Sequence, residues 1–191
     1  MRRHFLASLM ATVGTAAFLP GAANAQTPAP APASATGPAT AAPGWIDYKP
    51  EGGRFRVDLP TLPKIAIVQV PIGNNNTVPM TEATSTVRQV AYVASYVDYP
   101  NTVTRGAAAE VILNQVRNGA GTGATIRDEK KLQLGRAEGR EYIVVQSNGS
   151  VSITRTYWSR GRLFQLAVEG KAGIETQPAT RHFLESFALV Q

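Results

Sequence analysis

Between residues 45 and 191, apolar and polar positions alternate in short runs cut by Pro, Gly and Asn, the pattern of a β-rich domain. Phe55-Arg56-Val57-Asp58-Leu59 alternates strictly, which predicts a half-buried strand closed by Pro60 and Pro63. Lys64 to Val70 predicts a β-branched strand ended by Pro71, and Gly73-Asn74-Asn75-Asn76 a loop. Met80–Val87 and Gln89–Val97 predict a strand pair with Val90, Tyr92, Ala94 and Tyr96 on one face; Asp98-Tyr99-Pro100 stops the second strand.

The period then changes. Ala108, Val111, Ile112 and Val116 fall at helical spacing, predicting a helix over Arg105–Asn118, capped by Thr104 and ended by Gly119 and Gly121. Thr125–Leu134 reads as a strand. Arg140–Ser147, with Tyr142, Ile143, Val144 and Val145 in succession, reads as one covered on both faces. Asn148-Gly149 predicts a type I′ hairpin turn into Val151–Ser159, and Arg160-Gly161 a second tight turn into Leu163–Val168. Gln177–Ser186 predicts a helix with Pro178 in its first turn and Thr180, Phe183, Leu184 and Phe187 as its buried stripe. The expected fold class is α+β, a central mostly antiparallel β-sheet flanked by helices.

The N-terminus breaks the pattern. Arg2, Arg3 and His4 precede the mostly apolar run Phe5–Leu19; Pro20 and Gly21 break that run, and Ala23-Asn24-Ala25 supplies small residues. That is the layout of a cleavable signal peptide, residues 1–25, cut near Ala25. The run is too short and too interrupted for a membrane span. Arg2-Arg3-His4-Phe5-Leu6 also resembles a twin-arginine export signal, so both export routes stay open. Residues 26–44 shift to Pro, Ala and Thr, which predicts a disordered linker. The folded domain is then residues 45–191, and the expected location is periplasmic or secreted.

Composition narrows the chemistry. The 191 residues contain no cysteine, which excludes disulfides, thiol nucleophiles, Cys-based metal sites and a lipid anchor at the cleavage site. Two histidines occur, and His4 lies in the expected signal. His182 remains, read as a partly exposed residue of the last helix. No Gly-x-Ser-x-Gly elbow occurs. Gly119-Ala120-Gly121-Thr122-Gly123 follows a helix and precedes a strand, the reverse of a nucleotide loop, so it reads as a connector. No catalytic residue, metal ligand or cofactor is expected. The net charge of +6 becomes +4 once Arg2 and Arg3 are removed.

Arg54, Arg56, Arg155, Arg160 and Arg162 lie near Phe55, Tyr157, Trp158 and Phe164, a basic and aromatic mixture found on surfaces that hold anionic polymers. Along Val151–Trp158, Val151, Ile153, Arg155 and Tyr157 share one face; Ser152, Thr154, Thr156 and Trp158 share the other. If a helix covers the second face, Trp158 is core; if not, it belongs to a recognition patch. The candidate binding residues are therefore Asp98, Tyr99, Arg155, Tyr157 and Trp158.

Several runs carry a family likeness. Trp45-Ile-Asp-Tyr48-Lys-Pro50-Glu-Gly52-Gly53-Arg-Phe55-Arg-Val57-Asp-Leu59-Pro60 resembles the opening of small exported bacterial proteins of the PsbP-like superfamily. Tyr96-Val-Asp-Tyr99-Pro100, Gly139-Arg-Glu-Tyr142, Gly161-Arg-Leu163-Phe-Gln-Leu166 and Phe183-Leu-Glu-Ser186-Phe187 follow in the expected order. The resemblance implies an α/β sandwich related in fold to an extrinsic subunit of photosystem II and to the periplasmic protein DcrB, and action by binding other proteins. It implies no catalytic residue.

The resulting expectation is a non-enzymatic binding or accessory module of the bacterial envelope, with an envelope protein or polymer as partner and no nucleic acid. Two alternatives stay open: a small carboxylate-dependent hydrolase, and a cationic domain adhering to anionic envelope polymers.

Overall fold

Tight turns decide the topology, because reversals of two or three residues can join only antiparallel neighbours. In a computed structural model that describes residues 44–73 and 75–190, such turns link strands β3 (Lys64–Gly73), β4 (Asn76–Val87) and β5 (Val90–Asp98), and separately β6 (Ala124–Leu134), β7 (Ala137–Gln146), β8 (Ser150–Ser159) and β9 (Arg162–Lys171). They form one antiparallel seven-stranded sheet in the order β3-β4-β5-β9-β8-β7-β6. The expected signal peptide and linker lie outside the described residues.

The turn chemistry differs from expectation at one hairpin. Asn148 does not take a positive φ; the Gly149 amide bonds back to the Gln146 carbonyl at 2.9 Å, making a three-residue loop closed by Gly149 at φ 81°. The Asn148 side chain accepts from the Ser150 amide instead, at 2.9 Å, which explains its place there. A turn with two left-handed residues does occur at Arg160 (φ 50°) and Gly161 (φ 80°), with Ser159 paired to Arg162. Another occurs at Arg88 (φ 49°) and Gln89 (φ 67°), between paired Val87 and Val90.

A second small sheet, in the order β1-β2-β10, is built from the two ends of the described chain: β1 (Ile46–Tyr48), β2 (Phe55–Leu59) and β10 (Ala188–Leu189). With the last helix it packs on the face of the large sheet that carries Tyr92, Ala94, Ile153, Phe164, Leu166 and Val168. Phe55 is central, with ring centroids 5.4 Å from Phe187 and 5.9 Å from both Tyr96 and Phe164. Tyr157 stacks on Phe187 at 5.4 Å and 9°. Such aromatic contacts add about 0.5–1.5 kcal/mol each beyond area burial. Gly139 lies directly against the Tyr157 ring, where a Cβ would sit 2.5 Å from it and 2.6 Å from the Thr156 carbonyl.

The strand Phe55–Leu59 is more buried than alternation predicts. All five residues are covered, Arg56 and Asp58 included, because the outward face of β2 is closed by polar partners instead of water. Arg56 donates to Asp47 and to Asp58, both at 2.8 Å, and the Asp58 amide donates to the Ser186 hydroxyl at 2.9 Å.

The other face carries a helix, but not the expected one. Asn101–Thr104 forms a short α1, Gly106 turns the chain at φ 74°, and α2 runs from Ala109 to Ala120 with Ala108 ahead of it. Thr104 thus ends a helix where it was expected to start one. Its buried stripe is Ile112, Leu113 and Val116, while Val111 is 48% exposed. The expected stripe was rotated because Leu113 is the residue that reaches the sheet. The final helix, α3 (Pro178–Glu185), keeps the expected stripe of Thr180, Phe183, Leu184 and Phe187, all buried. The architecture is dominated by its sheets; three α-helices and one short 3-10 turn (Ile174–Thr176) occur among the described residues, none long and apolar enough to cross a membrane.

Arg88 and Gln89 occupy a conformation that favours glycine or asparagine. Gln89→Gly relieves the left-handed strain at φ 67°, and the expected gain is about 0.5–1 kcal/mol, read as a higher urea midpoint at unchanged slope.

Candidate functional site

The expected binding residues do not form one surface. Register decides this, because paired residues across a sheet share a face. Trp158 pairs with Leu163 and Tyr157 with Phe164, so consecutive residues of β8 point to opposite sides. Arg155 and Tyr157 face α3 and the small sheet; Tyr157 is buried, with its hydroxyl pushed up by burial. Trp158 lies on the α2 side and meets Tyr99, with ring centroids 5.8 Å apart and planes at 60°. Both rings are half-buried against the cluster of Val70, Val78, Met80, Val97, Leu113, Val116 and Leu163. The two readings of the Trp158 face are both partly realised. Thr154 and Thr156 are buried, and α2 packs on β8; Trp158 stands at the margin.

Asp98 sits at the same end of the sheet but on the opposite face. It binds Arg162 through two hydrogen bonds of 2.6 Å. Those bonds from Arg162 hold its carboxyl below the usual range, against partial burial. Arg162 also donates to the carbonyls of Gly52 and Gly53 at 2.6 and 2.8 Å, and its guanidinium lies 4.8 Å from the Tyr96 ring centre. Asp98 and Arg162 therefore tie the 50–53 turn to the end of the sheet, a structural duty.

Arg155 has a similar duty. It donates to Glu141 at 2.5 Å and to the Leu184 carbonyl at 2.9 Å, fixing the end of α3 on β7 and β8. Glu141 is buried and also receives Lys130 at 2.8 Å and Arg181 at 3.4 Å. Burial opposes its ionisation, yet the hydrogen bonds and charges of Lys130 and Arg155 outweigh that and hold the carboxyl below its ordinary value of 4.5.

The basic and aromatic cluster expected from sequence is thereby divided. Arg56, Arg155 and Arg162 are consumed by carboxylates and carbonyls. Arg54 and Arg160 remain exposed, joined by two cations that sequence reading passed over, Arg105 beyond α1 and Arg136 in the β6–β7 turn. Gly161 accepts from the Tyr99 amide at 2.8 Å, which places the Arg160 turn against Tyr99. The pairing of Glu138 with Trp158 sets the Arg136 turn on the same end of the sheet. What assembles there is a Tyr99–Trp158 pair at the sheet end from which the Arg136 and Arg160 turns emerge.

Two other features were unreadable from the linear chain. His182 is half-buried beside Trp45, with ring centroids 4.6 Å apart, and its Nε2 lies 2.9 Å from Asp58 Oδ2. That contact spans 124 residues, and no local spacing announces it. Glu82 and Glu169 both lie on the α2 side of the sheet, and burial, then the charge of Glu82, pushes Glu169 up. They do not face each other: Glu82 pairs with Ser95 and Glu169 with Ala91, on opposite sides of β5 and four residues out of step. A shallow depression of about 370 Å³ lined by Gly123, Ala124, Thr125, Val145, Gln146 and Ser147 carries no titratable side chain. Among the described residues no group of three His, Asp or Glu comes together to hold a metal.

The chain has the PsbP-like fold. It superposes on the solution structure of cyanobacterial PsbP (CyanoP) from Synechocystis sp. PCC 6803 with a TM-score of 0.50 at 13% identity, over 82% of this chain and 98% of that one. A protein of unknown function from Pseudomonas aeruginosa, PA94, aligns over 74% of this chain and 94% of its own at 12% identity and a TM-score of 0.41. No family profile and no curated protein matches the chain. At these identities the likeness concerns fold, and no residue role is carried across.

The Glu141 cluster sets a pH dependence. Because its folded pKa lies below 4.5, its contribution is complete above 4.5 and is lost as pH falls through the folded value. Glu141→Gln should therefore flatten the acid limb of a stability–pH curve below 4.5. Arg155→Ala, which leaves the buried carboxylate short of a partner, should cost about 3–5 kcal/mol near neutral pH in urea unfolding.

Proposed function

We propose that this chain is an exported, non-enzymatic binding or accessory module of the bacterial envelope, and that its partner docks at the end of the sheet marked by Tyr99 and Trp158. The signal-like residues 1–25 and the Pro/Ala-rich residues 26–44 suit export with a tethered domain, periplasmic or secreted after cleavage near Ala25. The domain itself is read as an α+β sandwich.

The observation that carries this reading is the half-buried Tyr99–Trp158 pair, with Arg136 and Arg160 exposed in the turns at that end. Tyr, Trp and Arg are the residues on which binding energy concentrates, since each joins a large apolar area to a polar tip or fork. Two rings held at 5.8 Å by the core beneath them lose little freedom on binding. The partner that fits is an envelope protein or polymer with an acidic surface and an apolar contact. Attachment through charge alone is the second reading, favoured by the exposed Arg136 and Arg160; it differs in its salt dependence, because contacts between exposed charges fade with screening while aromatic burial does not.

A photo-crosslinking residue placed at position 158 or 160, and at Arg88 in the opposite β4–β5 turn as control, tests the site in living cells. A discrete adduct from 158 and 160 that is absent from 88 is the expected result. Adducts equal at all three positions, or none at 158 and 160, would overturn the proposed site. Survival of the adduct at high salt favours aromatic docking over simple charge attraction.

A further inference from the structure

A seven-stranded open sheet has two edges, and each is a template for further strand pairing unless charge or irregularity blunts it. β6 is blunted. It carries Arg127, Asp128, Glu129, Lys130 and Lys131 in succession, and its pairing with β7 slips between Arg127 and Lys130, where Asp128 takes φ 55°. β3 is irregular only at its far end, where its pairing slips between Pro71 and Gly73. From Lys64 to Val70 it keeps an unbroken register with β4, Lys64 opposite Thr84 through Val70 opposite Val78, and Lys64 is its one charge. Ile65 and Ile67, on the face they share with Ala83 and Thr81, are 54% and 69% exposed, and Leu62 just ahead of the strand is 80% exposed.

We propose that this edge joins two copies of the chain, β3 to β3, antiparallel about a two-fold axis at Ile67. The open ladder ends at Val70, because Pro71 has no amide to donate, and Lys64–Val70 is centred on Ile67. In that register Ile67 meets Ile67 of the second copy, Ile65 meets Gln69, and Lys64 meets Val70. The lone cation of each strand never opposes its own copy, so the edge is compatible in charge with itself. A two-fold axis normal to the sheet keeps the same face of both copies on one side. The exposed Ile65 and Ile67 of each then form one apolar strip of four isoleucines.

Other occupants fit less well. The β6 edge of a second molecule would set a bulged row of charges against these isoleucines. The chain's own residues 26–43 contain Pro28, Pro30, Pro32, Pro38 and Pro43, positions that cannot donate to a ladder. A ladder of this length with its exposed side chains buries on the order of 1,000 Å² in total, the lower limit of a specific interface, so assembly should depend on concentration.

Sedimentation velocity of the purified, naturally processed chain across the micromolar range tests this. The wild type should shift from monomer to dimer with concentration. Ile67→Lys and Ile67→Glu should each weaken association about tenfold or more, by setting like charges opposite at the axis. Mixing the two variants should restore the dimer, since opposite charges then meet there. Ile67 is exposed, so circular dichroism of both variants should match the wild type. A wild type that stays monomeric throughout, or variants that dimerise as the wild type does, would overturn the interface; a mixture that stays monomeric would overturn the register.

Discussion

The structure depends on burying one aromatic side chain, Phe55, between two sheets. Its ring meets Tyr96 and Phe164 of the large sheet and Phe187 beyond α3. The strand that carries it pairs on one side with β1, from the start of the described chain, and on the other with β10, from its end. Without that plug the large sheet would expose an apolar face to water, since α3 spans only eight residues. A cysteine-free chain has no covalent means of holding distant segments together. Here the hydrophobic contact does that work, and it is cooperative because first and last strands complete the same cluster.

Buried ions supply direction where apolar contact supplies adhesion. Hydrophobic burial is non-directional, so it cannot by itself fix how the small sheet and α3 sit on the large one. Arg162 with Asp98 and the Gly52 and Gly53 carbonyls, and Arg155 with Glu141 and the Leu184 carbonyl, tie the 50–53 turn and α3 to the large sheet, while Arg56 with Asp47 and Asp58 braces β1 and β2 of the small one. In each case a guanidinium, with donors in a fixed fork, serves two acceptors at once. The arginines that look like a binding surface in the linear chain are, for the most part, orientation devices. Their removal from the surface leaves Arg54 and Arg160 as the exposed members of that basic group.

Much of this fold was legible because strand alternation and turn chemistry are local. The strands between residues 55 and 171 and the buried stripe of α3 follow from spacing alone. Some misreadings arose where a long-range contact overrode a local rule. Arg56 and Asp58 alternate with apolar residues as surface positions do, yet Asp47 and Ser186 cover them. Thr104 is a good cap residue, but Gly106 breaks the chain before a helix can start from it. The candidate site was half legible for the same reason. Aromatic content pointed to the β8–β9 hairpin, but the residues named there fell on two faces: Arg155 and Tyr157 beneath α3, Trp158 beside Tyr99. Glu141 left a faint signal, a charge at the head of the apolar run Tyr142–Val145, where a strand covered on both faces should carry none. A buried charge in such a place must have partners, and the sequence holds no clue that they are Lys130, Arg155 and Arg181.

The two surfaces proposed for binding, the end of the large sheet at Tyr99 and Trp158 and its β3 edge, lie away from any pocket. Both faces of the sheet are largely occupied, one by α3 and the small sheet, the other by α2. An aromatic pair can therefore be left half-covered only where the layers end, and Tyr99 and Trp158 lie there because β5 ends at Asp98 and β8 turns at Arg160. The unblunted side of β3 is open for a related reason. The small sheet is three strands wide against seven, and its reach ends before Ile65 and Ile67. Natural edges with exposed isoleucines invite uncontrolled pairing unless something specific takes the place. Ile65 and Ile67 are costly to leave in water at an edge whose one charge is Lys64, and the β3–β3 pairing proposed above would cover them.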